Sequence, residues 1–170
     1  MTDTWNGFRV VGAVEDDTAT TSSSNSSSLV DQLQELLADV ALFYHTAHEF
    51  HWNVKGSDFY EYHKLFDEIV SDVYDSIDPI AENIRKLDGY AKYKMSELLK
   101  LANIQEVNGE QSSTSALTSE LIRLNSVLIT TLTKTFDTAN KANEQGIANF
   151  IAERIDMHQK WNWFLKSSGK

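Results

Sequence analysis

The sequence predicts an all-α protein, a four-helix bundle with a short helix in the long crossover between helices 2 and 3. Four long segments carry apolar residues three and four positions apart, which is the period of an amphipathic helix. No segment has the convincing apolar–polar alternation of a strand. The single proline in 170 residues also favours a mostly helical chain. Long amphipathic helices with one long middle connection are typical of a bundle with a crossover.

The first two helices form a predicted hairpin. The apolar stripe of the first helix covers residues 29–54, and residues 55–57 form the turn. The second stripe covers residues 59–87, and Gly89 stops it. Pro79 lies inside this helix, where a proline removes a backbone hydrogen bond at a cost of roughly 3 kcal/mol. We therefore expect a local kink in the second helix.

The second half of the chain begins with an irregular crossover over residues 88–113. One short helical piece is predicted inside it, around residues 96–102. Apolar stripes over residues 117–136 and 147–164 then predict the third and fourth helices of the bundle. The order of elements therefore places the long connection between the second and third long helices.

A polar extension precedes the bundle. Residues 15–28 are rich in Ser, Thr and Asp, and such a segment buries too little apolar surface to offset its ordering entropy. We predict a flexible acidic and Ser-rich extension over residues 1–28 and a bundle over residues 29–168. The apolar residues within the first fourteen predict either a docking peptide or a frayed tail.

Composition excludes several classes of protein. The chain has no cysteine, which excludes a disulfide scaffold, a thiolate zinc site and a cysteine nucleophile. No apolar run approaches the roughly 18 residues that would span a bilayer, and the start "MTDTWNGFRVV" lacks the pattern of a signal peptide. The formal net charge of −10 disfavours nucleic acid and anionic membranes as partners. We expect a cytoplasmic protein.

Four potential metal ligands lie on the second helix. At about 100° per residue, His63, Asp67, Asp78 and Glu82 fall within one arc of about 100° beside the apolar stripe. His63 and Asp67 are spaced four residues apart, as are Asp78 and Glu82. The two pairs lie about 22 Å apart along the helix axis, because each residue adds about 1.5 Å. One chain therefore cannot bring both pairs to one metal.

Two chains can do so. The pairs share a midpoint between residues 72 and 73, so a two-fold axis there sets His63 and Asp67 of one chain opposite Glu82 and Asp78 of the other. His51 and His63 are equally far from the centre of the predicted hairpin, so His51 joins the same group. Imidazole with carboxylate suits Fe(II), Mn(II) or Zn(II). The sequence therefore predicts two identical metal sites per dimer.

Other readings of these residues stay open. Each spaced pair, taken alone, is more often an exposed hydrogen-bonded pair or a solvated acidic face than a metal site. His45 and His48 are surface or capping groups or secondary iron contacts, and His158 is expected to be structural. Among the aromatic residues, Trp52 has the best claim to a functional role, because it adjoins His51.

The segments "HWNVKG…F…H…FD" and "DPIAENIRKLDG" resemble the Dps family of miniferritins, the DNA-binding proteins from starved cells. The resemblance covers about residues 29–166 and implies a ferritin-like bundle. It further implies a dodecameric cage, with a di-iron ferroxidase site between two-fold-related subunits and ferric mineral inside. Fe(II) would be oxidised preferably by hydrogen peroxide, with Zn or Mn as substitute metals. The implied ligands are the set found from spacing, His51, His63, Asp67, Asp78 and Glu82, with Trp52 near the iron.

The sequence also departs from the family pattern. Asn83 stands where an arginine is common, and Asp88 replaces the first glycine of the turn. Asn149 stands where an acid often lines the iron entry, although Glu144 or Glu153 could supply that charge. The extension is acidic where DNA-binding members carry lysines. The resemblance leads us to expect a ferroxidase and iron-storage protein, and the acidic extension leads us to expect that it does not bind DNA tightly. The alternatives are a DNA-compacting cage without enzymatic activity and a structural shell protein docked to a larger assembly.

Overall fold

The computed structural model describes residues 17–110 and 112–168, with side chains from residue 27 onward. These ranges contain five α-helices and no strand, which confirms the all-α prediction. None of the helices described is long and apolar enough to cross a membrane. The helices are α1 (Asp17–Asn53), α2 (Phe59–Lys86), α3 (Met95–Leu101), α4 (Thr114–Lys141) and α5 (Gln145–Ser168).

The four long helices enclose one apolar core. Helix α1 packs against α2, α3 and α4, and α4 packs against α5. Short turns follow α1 and α4, so α1 with α2 and α4 with α5 form antiparallel hairpins. The largest side chains that are fully buried include Phe43, Phe50 and Phe66. The predicted apolar stripes are therefore the faces that the helices bury against one another.

Helix α1 begins earlier than predicted. The helix starts at Asp17, so residues 17–28 of the predicted flexible extension have helical backbone. Ser and Thr disfavour helix by less than about 0.7 kcal/mol per residue relative to Ala. A helix nucleated by the packed part of α1 can therefore continue through them, since propagation adds one hydrogen bond per residue. Residues 1–16, predicted to be either a docking peptide or a frayed tail, lie outside the described residues, and the division into extension and bundle stays a prediction.

A buried carboxylate fixes the crossover against the bundle. Asp39 is 0% exposed and accepts hydrogen bonds from the backbone N–H groups of Asn103 and Ile104, at 2.6 and 2.9 Å. The Thr131 hydroxyl donates a further bond of 2.7 Å to the same carboxylate. These bonds offset the cost of burying the charge. The bonds connect three parts of the chain: α1, the segment that follows α3, and α4. The short helix α3 itself lies close to where the sequence predicts it.

Helix α2 ends where the sequence predicts. The helix is continuous from Phe59 to Lys86, with Pro79 inside it. Asp88 then adopts a left-handed backbone with φ of 60°, and the Gly89 N–H donates to the carbonyl of Ile84 at 3.0 Å. A Cβ at Gly89 would lie 2.7 Å from a methyl of Val30. Glycine therefore lets the end of α2 pack closely against α1.

Candidate metal centre

His51 and His63 are held together across the hairpin by reciprocal hydrogen bonds. Nδ1 of His51 donates to the backbone carbonyl of His63 at 2.9 Å, and Nδ1 of His63 donates to the carbonyl of His51 at 2.8 Å. Their rings stack with centroids 3.9 Å apart and an angle of 20° between the planes. The prediction that the hairpin makes these two histidines neighbours is confirmed.

These bonds determine which ring nitrogen is free. A carbonyl oxygen can only accept, so each Nδ1 carries the hydrogen and each Nε2 keeps its lone pair. Histidines that bind metals are oriented by this kind of hydrogen bond from the nitrogen that does not ligate. Both imidazoles are therefore set in the tautomer that binds a metal through Nε2.

Asp67 lies beside the free nitrogen of His51. One of its carboxylate oxygens is 3.8 Å from His51 Nε2, and its side chain is 68% exposed, against 12% for His51. With bonds of about 2.1 Å, two ligands of one ion have donor atoms roughly 3–4 Å apart. The spacing fits shared coordination. Although the helical spacing pairs Asp67 with His63, the carboxylate of Asp67 lies next to Nε2 of His51.

Asp78 and Glu82 lie elsewhere on the same helix. Both are exposed, and neither has an ion-pair or hydrogen-bond partner among the side chains that the structure describes. Asp78 lines a surface depression together with Tyr74 and Tyr93. Within the described residues, no group of three or more His, Asp or Glu could hold a metal ion. One chain places His51 against His63 and next to Asp67, and it leaves Asp78 and Glu82 further along α2, so it does not complete a metal site.

Aromatic rings surround the histidines. Phe59 stacks on His63 with centroids 4.9 Å apart, and Trp52 packs against His48 at 4.2 Å. His48 in turn lies 5.9 Å from His51. Burial lowers the pKa of His48, and the nearby His51 lowers it further. Trp52 therefore reaches the predicted ligand His51 through the ring of His48.

A second polar cluster, between α2 and α5, was not predicted. The Arg154 guanidinium donates to both oxygens of Asp72, at 2.9 and 2.7 Å, and the Trp161 indole N–H donates to the same carboxylate at 2.8 Å. Burial tends to raise the pKa of Asp72, but the hydrogen bonds from Arg154 and Trp161 outweigh it and hold that pKa below its usual value. Asp72 and Arg154 are 82 residues apart, so no local pattern could have paired them.

His158, on α5, lies in the interior of the bundle. It is 0% exposed, and its Nδ1 bonds to the Asn125 side-chain oxygen at 2.6 Å. Burial lowers its pKa to about 3, and the charge of Arg154 adds to this, although Asp72 acts in the opposite direction. The prediction that His158 is structural is confirmed by its burial within the bundle.

Comparison with known proteins identifies the class of the fold. The family model "Ferritin-like domain" matches residues 30–168. The solved structure of the Dps protein from Vibrio cholerae O1 is similar, with a TM-score of 0.82 and 28% sequence identity, over 86% of this chain and 92% of that one. The V. cholerae protein is described as a member of a broad superfamily of ferritin-like diiron-carboxylate proteins.

Two curated relatives agree with this match. The DNA protection during starvation protein of Helicobacter pylori is 28% identical over 135 residues, which are 79% of this chain and 94% of the relative. An uncharacterized low temperature-induced protein of Nostoc is 30% identical over 140 residues, which are 82% of this chain and 78% of the relative. The chain therefore belongs to the ferritin-like family, as a member of its Dps group of miniferritins.

Proposed function

We propose that this miniferritin is a ferroxidase that oxidises Fe(II), preferably with hydrogen peroxide, and stores the ferric product in a dodecameric cage. The observation that carries the proposal is the reciprocal bonding of His51 and His63, which leaves both Nε2 atoms free for a metal. The nearby carboxylate of Asp67 supports it, because oxygen ligands stabilise iron once it becomes ferric. Zn or Mn would compete for the same ligands.

The complete site takes residues from two subunits. His51, His63 and Asp67 come from one chain, and Asp78 and Glu82 come from the other, across a two-fold axis. The exposure of both carboxylates supports this, because neither is used by its own chain. Two such sites form in each dimer, as an isologous interface requires.

The chemistry is a two-electron reduction of peroxide. Two Fe(II) ions each give one electron, and hydrogen peroxide with two protons becomes two molecules of water. Histidines and carboxylates position the two ions, so both electrons reach one peroxide and hydroxyl radical is not released. Trp52, packed against His48, quenches radicals that do escape or donates an electron.

The cage stores the product and admits the substrate. Negative side chains near the three-fold axis would attract Fe(II), and Glu144 and Glu153 are the candidates. Glu153 accepts a hydrogen bond of 3.1 Å from Asn149, the residue that replaces the expected acid. The protein acts in the cytoplasm of a prokaryote, where its lack of cysteine suits a reducing compartment.

Anaerobic titration with Fe(II), followed by peroxide, tests the function. We expect saturable binding before peroxide, and then rapid oxidation of about two Fe(II) per peroxide by a particle of about twelve times 19.3 kDa. Oxidation no faster than in buffer would contradict the ferroxidase assignment. A stable monomer in light scattering would contradict both the cage and the complete site.

Tight binding to DNA is not part of the proposal. Duplex binding needs Lys and Arg to neutralise phosphates, whereas each chain carries −10, so twelve chains carry about −120. Arg9 is the only basic residue in the first 28. In a gel-shift titration at low salt without magnesium, we expect free DNA throughout. A retarded complex at sub-micromolar protein would favour the DNA-compacting alternative.

A further inference from the structure

Three buried polar atoms without a partner lie in a row on α5. Among the side chains that the structure describes, four buried nitrogen or oxygen atoms lack a hydrogen-bond partner, and three of them are Arg154 Nε, His158 Nε2 and Asn162 Oδ1. These three residues are spaced four apart, so they follow one face of the helix. The fourth atom belongs to Gln32 on α1. Unpaired polar atoms are rare in protein interiors, so three in one row require an explanation.

The hydrogen-bonding role of the His158 ring is fixed by Asn125. The Asn125 amide nitrogen donates to the backbone carbonyl of His158 at 2.7 Å, and the Asn125 side-chain oxygen faces Nδ1 of the ring. That oxygen can only accept, so Nδ1 carries the hydrogen and Nε2 keeps its lone pair. His158 is 0% exposed. It therefore presents a buried acceptor that none of the described residues satisfies.

The other two atoms have fixed roles as well. The two terminal nitrogens of Arg154 bind Asp72, which leaves the Nε–H group as a donor. The Ser126 hydroxyl gives its own hydrogen to the carbonyl of Ile122, so it accepts from the Asn162 amide nitrogen at 3.4 Å. Asn162 Oδ1 is therefore an acceptor. The row consists of one donor followed by two acceptors.

A ligand for this row has to be small and neutral, and it has to accept and donate hydrogen bonds. Burial and then the charge of Arg154 lower the pKa of His158, which places the guanidinium close to the imidazole and disfavours a cation there. An anion is disfavoured because Asp72 already binds that guanidinium. Water has the required chemistry, and protein interiors hold roughly one buried water per 27 residues, bound to polar groups that lack another partner.

We propose that α5 holds at least two ordered water molecules in the interior of the bundle. The first accepts from Arg154 Nε–H and donates to His158 Nε2. The second accepts from the first and donates to Asn162 Oδ1. Residues four apart are separated by about 6 Å along a helix, which is about the span of two hydrogen bonds that meet at one water. Every polar atom in the row then has a partner.

The first water completes a polar connection through the bundle. On one side Arg154 binds Asp72 of α2, and on the other side His158 binds Asn125 of α4. With a water between Arg154 and His158, hydrogen bonds run without a break from α2 through α5 to α4. This arrangement explains how the core accommodates His158 and Asn125, which are both 0% exposed. The inference does not depend on the proposed iron chemistry.

A high-resolution crystal structure of the full-length assembled protein, prepared without iron, tests the inference. We expect one density peak within about 3 Å of both Arg154 Nε and His158 Nε2, and a second within about 3 Å of Asn162 Oδ1. No peak beside His158 Nε2, or a direct bond from that atom to a protein donor, would overturn the inference. A peak about 2.1 Å from Nε2 with anomalous scattering would identify a metal ion and would overturn it as well.

A measurement in solution tests the second water by substitution. Magnetic relaxation dispersion of water oxygen counts the water molecules held inside a protein, and it is applied to the wild type, Asn162→Leu and Gln159→Leu. Asn162→Leu keeps the approximate size of the side chain and removes the acceptor. Gln159, exposed on the same helix, provides the matched control. We expect Asn162→Leu to lose about one internal water per chain and Gln159→Leu to lose none.

Two outcomes in solution contradict the inference. Equal numbers of internal waters in the wild type and Asn162→Leu would overturn the water at Asn162. A loss in Gln159→Leu as large as that in Asn162→Leu would show that the effect does not come from the acceptor, and would overturn it too. If Asn162→Leu does not assemble, the crystal structure of the wild type decides by itself.

Discussion

The carboxylates of α2 differ in whether their own chain provides hydrogen-bond and ion-pair partners for them. Towards α5, the carboxylate of Asp72 accepts three hydrogen bonds from Arg154 and Trp161, and its side chain is only 17% exposed. Among the predicted ligands, Asp67 near the hairpin is 68% exposed, and Asp78 and Glu82 further along α2 are exposed as well. The first group is complete within one chain, and the second is not.

The difference follows from the cost of burial. A charge removed from water destabilises the fold unless a partner and hydrogen bonds compensate it, so the Asp72 cluster must be complete in each folded chain. Exposed carboxylates stay hydrated, and the fold does not require a partner for them. We infer that the Asp72 cluster serves stability and that the exposed carboxylates serve the site shared between subunits.

The largest expected effect comes from the exposed group. Asp78→Ala with Glu82→Ala should remove most of the rapid oxidation of Fe(II), because each site loses both ligands that the second subunit supplies. The free energy of unfolding should change little, since surface substitutions are usually within about 0.5 kcal/mol. Stopped-flow oxidation and urea unfolding measure the two quantities. Glu68→Ala, on an exposed position of the same helix outside the ligand arc, is the matched control and should keep full activity.

The second prediction concerns Asp72, whose substitution should reduce stability. Asp72→Ala should lower the free energy of unfolding by about 3 kcal/mol, because it leaves the largely buried Arg154 without its counter-charge and Trp161 without its acceptor. The midpoint of urea unfolding measures this loss, and Asp75→Ala, exposed on the same helix, should scarcely move it. A midpoint for Asp72→Ala equal to that of Asp75→Ala would show that the cluster adds no stability.

A smaller effect concerns pH. Burial lowers the pKa of His158 to about 3, from an ordinary value of 6.5, so the unfolded chain binds a proton there that the folded chain does not. This contribution to stability is complete above about pH 6.5 and is lost as the pH falls towards 3, at about 1.4 kcal/mol per pH unit. His158→Gln cannot take up the proton, so its stability should fall less steeply between pH 6 and 4. Parallel pH profiles from urea unfolding would contradict this role of His158.

The apolar pattern predicted the helices well because their packing depends on a local period. Leu33, Leu36 and Phe43 recur at helical spacing, and each is fully buried. The start of α1 could not be predicted in the same way, because the Ser and Thr residues of 17–28 carry no apolar stripe. The hairpin likewise predicted that His51 meets His63, since equal distance from a turn brings two residues side by side.

Contacts between distant segments could not be predicted from the sequence. Nothing near Asp39 indicates that it binds the backbone at Asn103, and nothing near Asp72 indicates Arg154, because those partners are set by the packing of whole helices. The proposed shared site depends on a contact between chains. The spacing on α2 predicts its two-fold symmetry, because the two pairs of ligands share one midpoint.

Mixing two inactive variants tests the shared site most directly. The first carries Asp78→Ala and Glu82→Ala, and the second carries His63→Ala and Asp67→Ala. After co-assembly, a mixed dimer contains one intact site, because the histidine half comes from the first variant and the carboxylate half from the second. Random pairing makes about half of the dimers mixed, each with one intact site of two, so we predict about a quarter of the wild-type rapid Fe(II) oxidation. Activity that stays at the level of the two separate variants, in dimers that mass spectrometry proves to be mixed, would contradict a site built from two subunits.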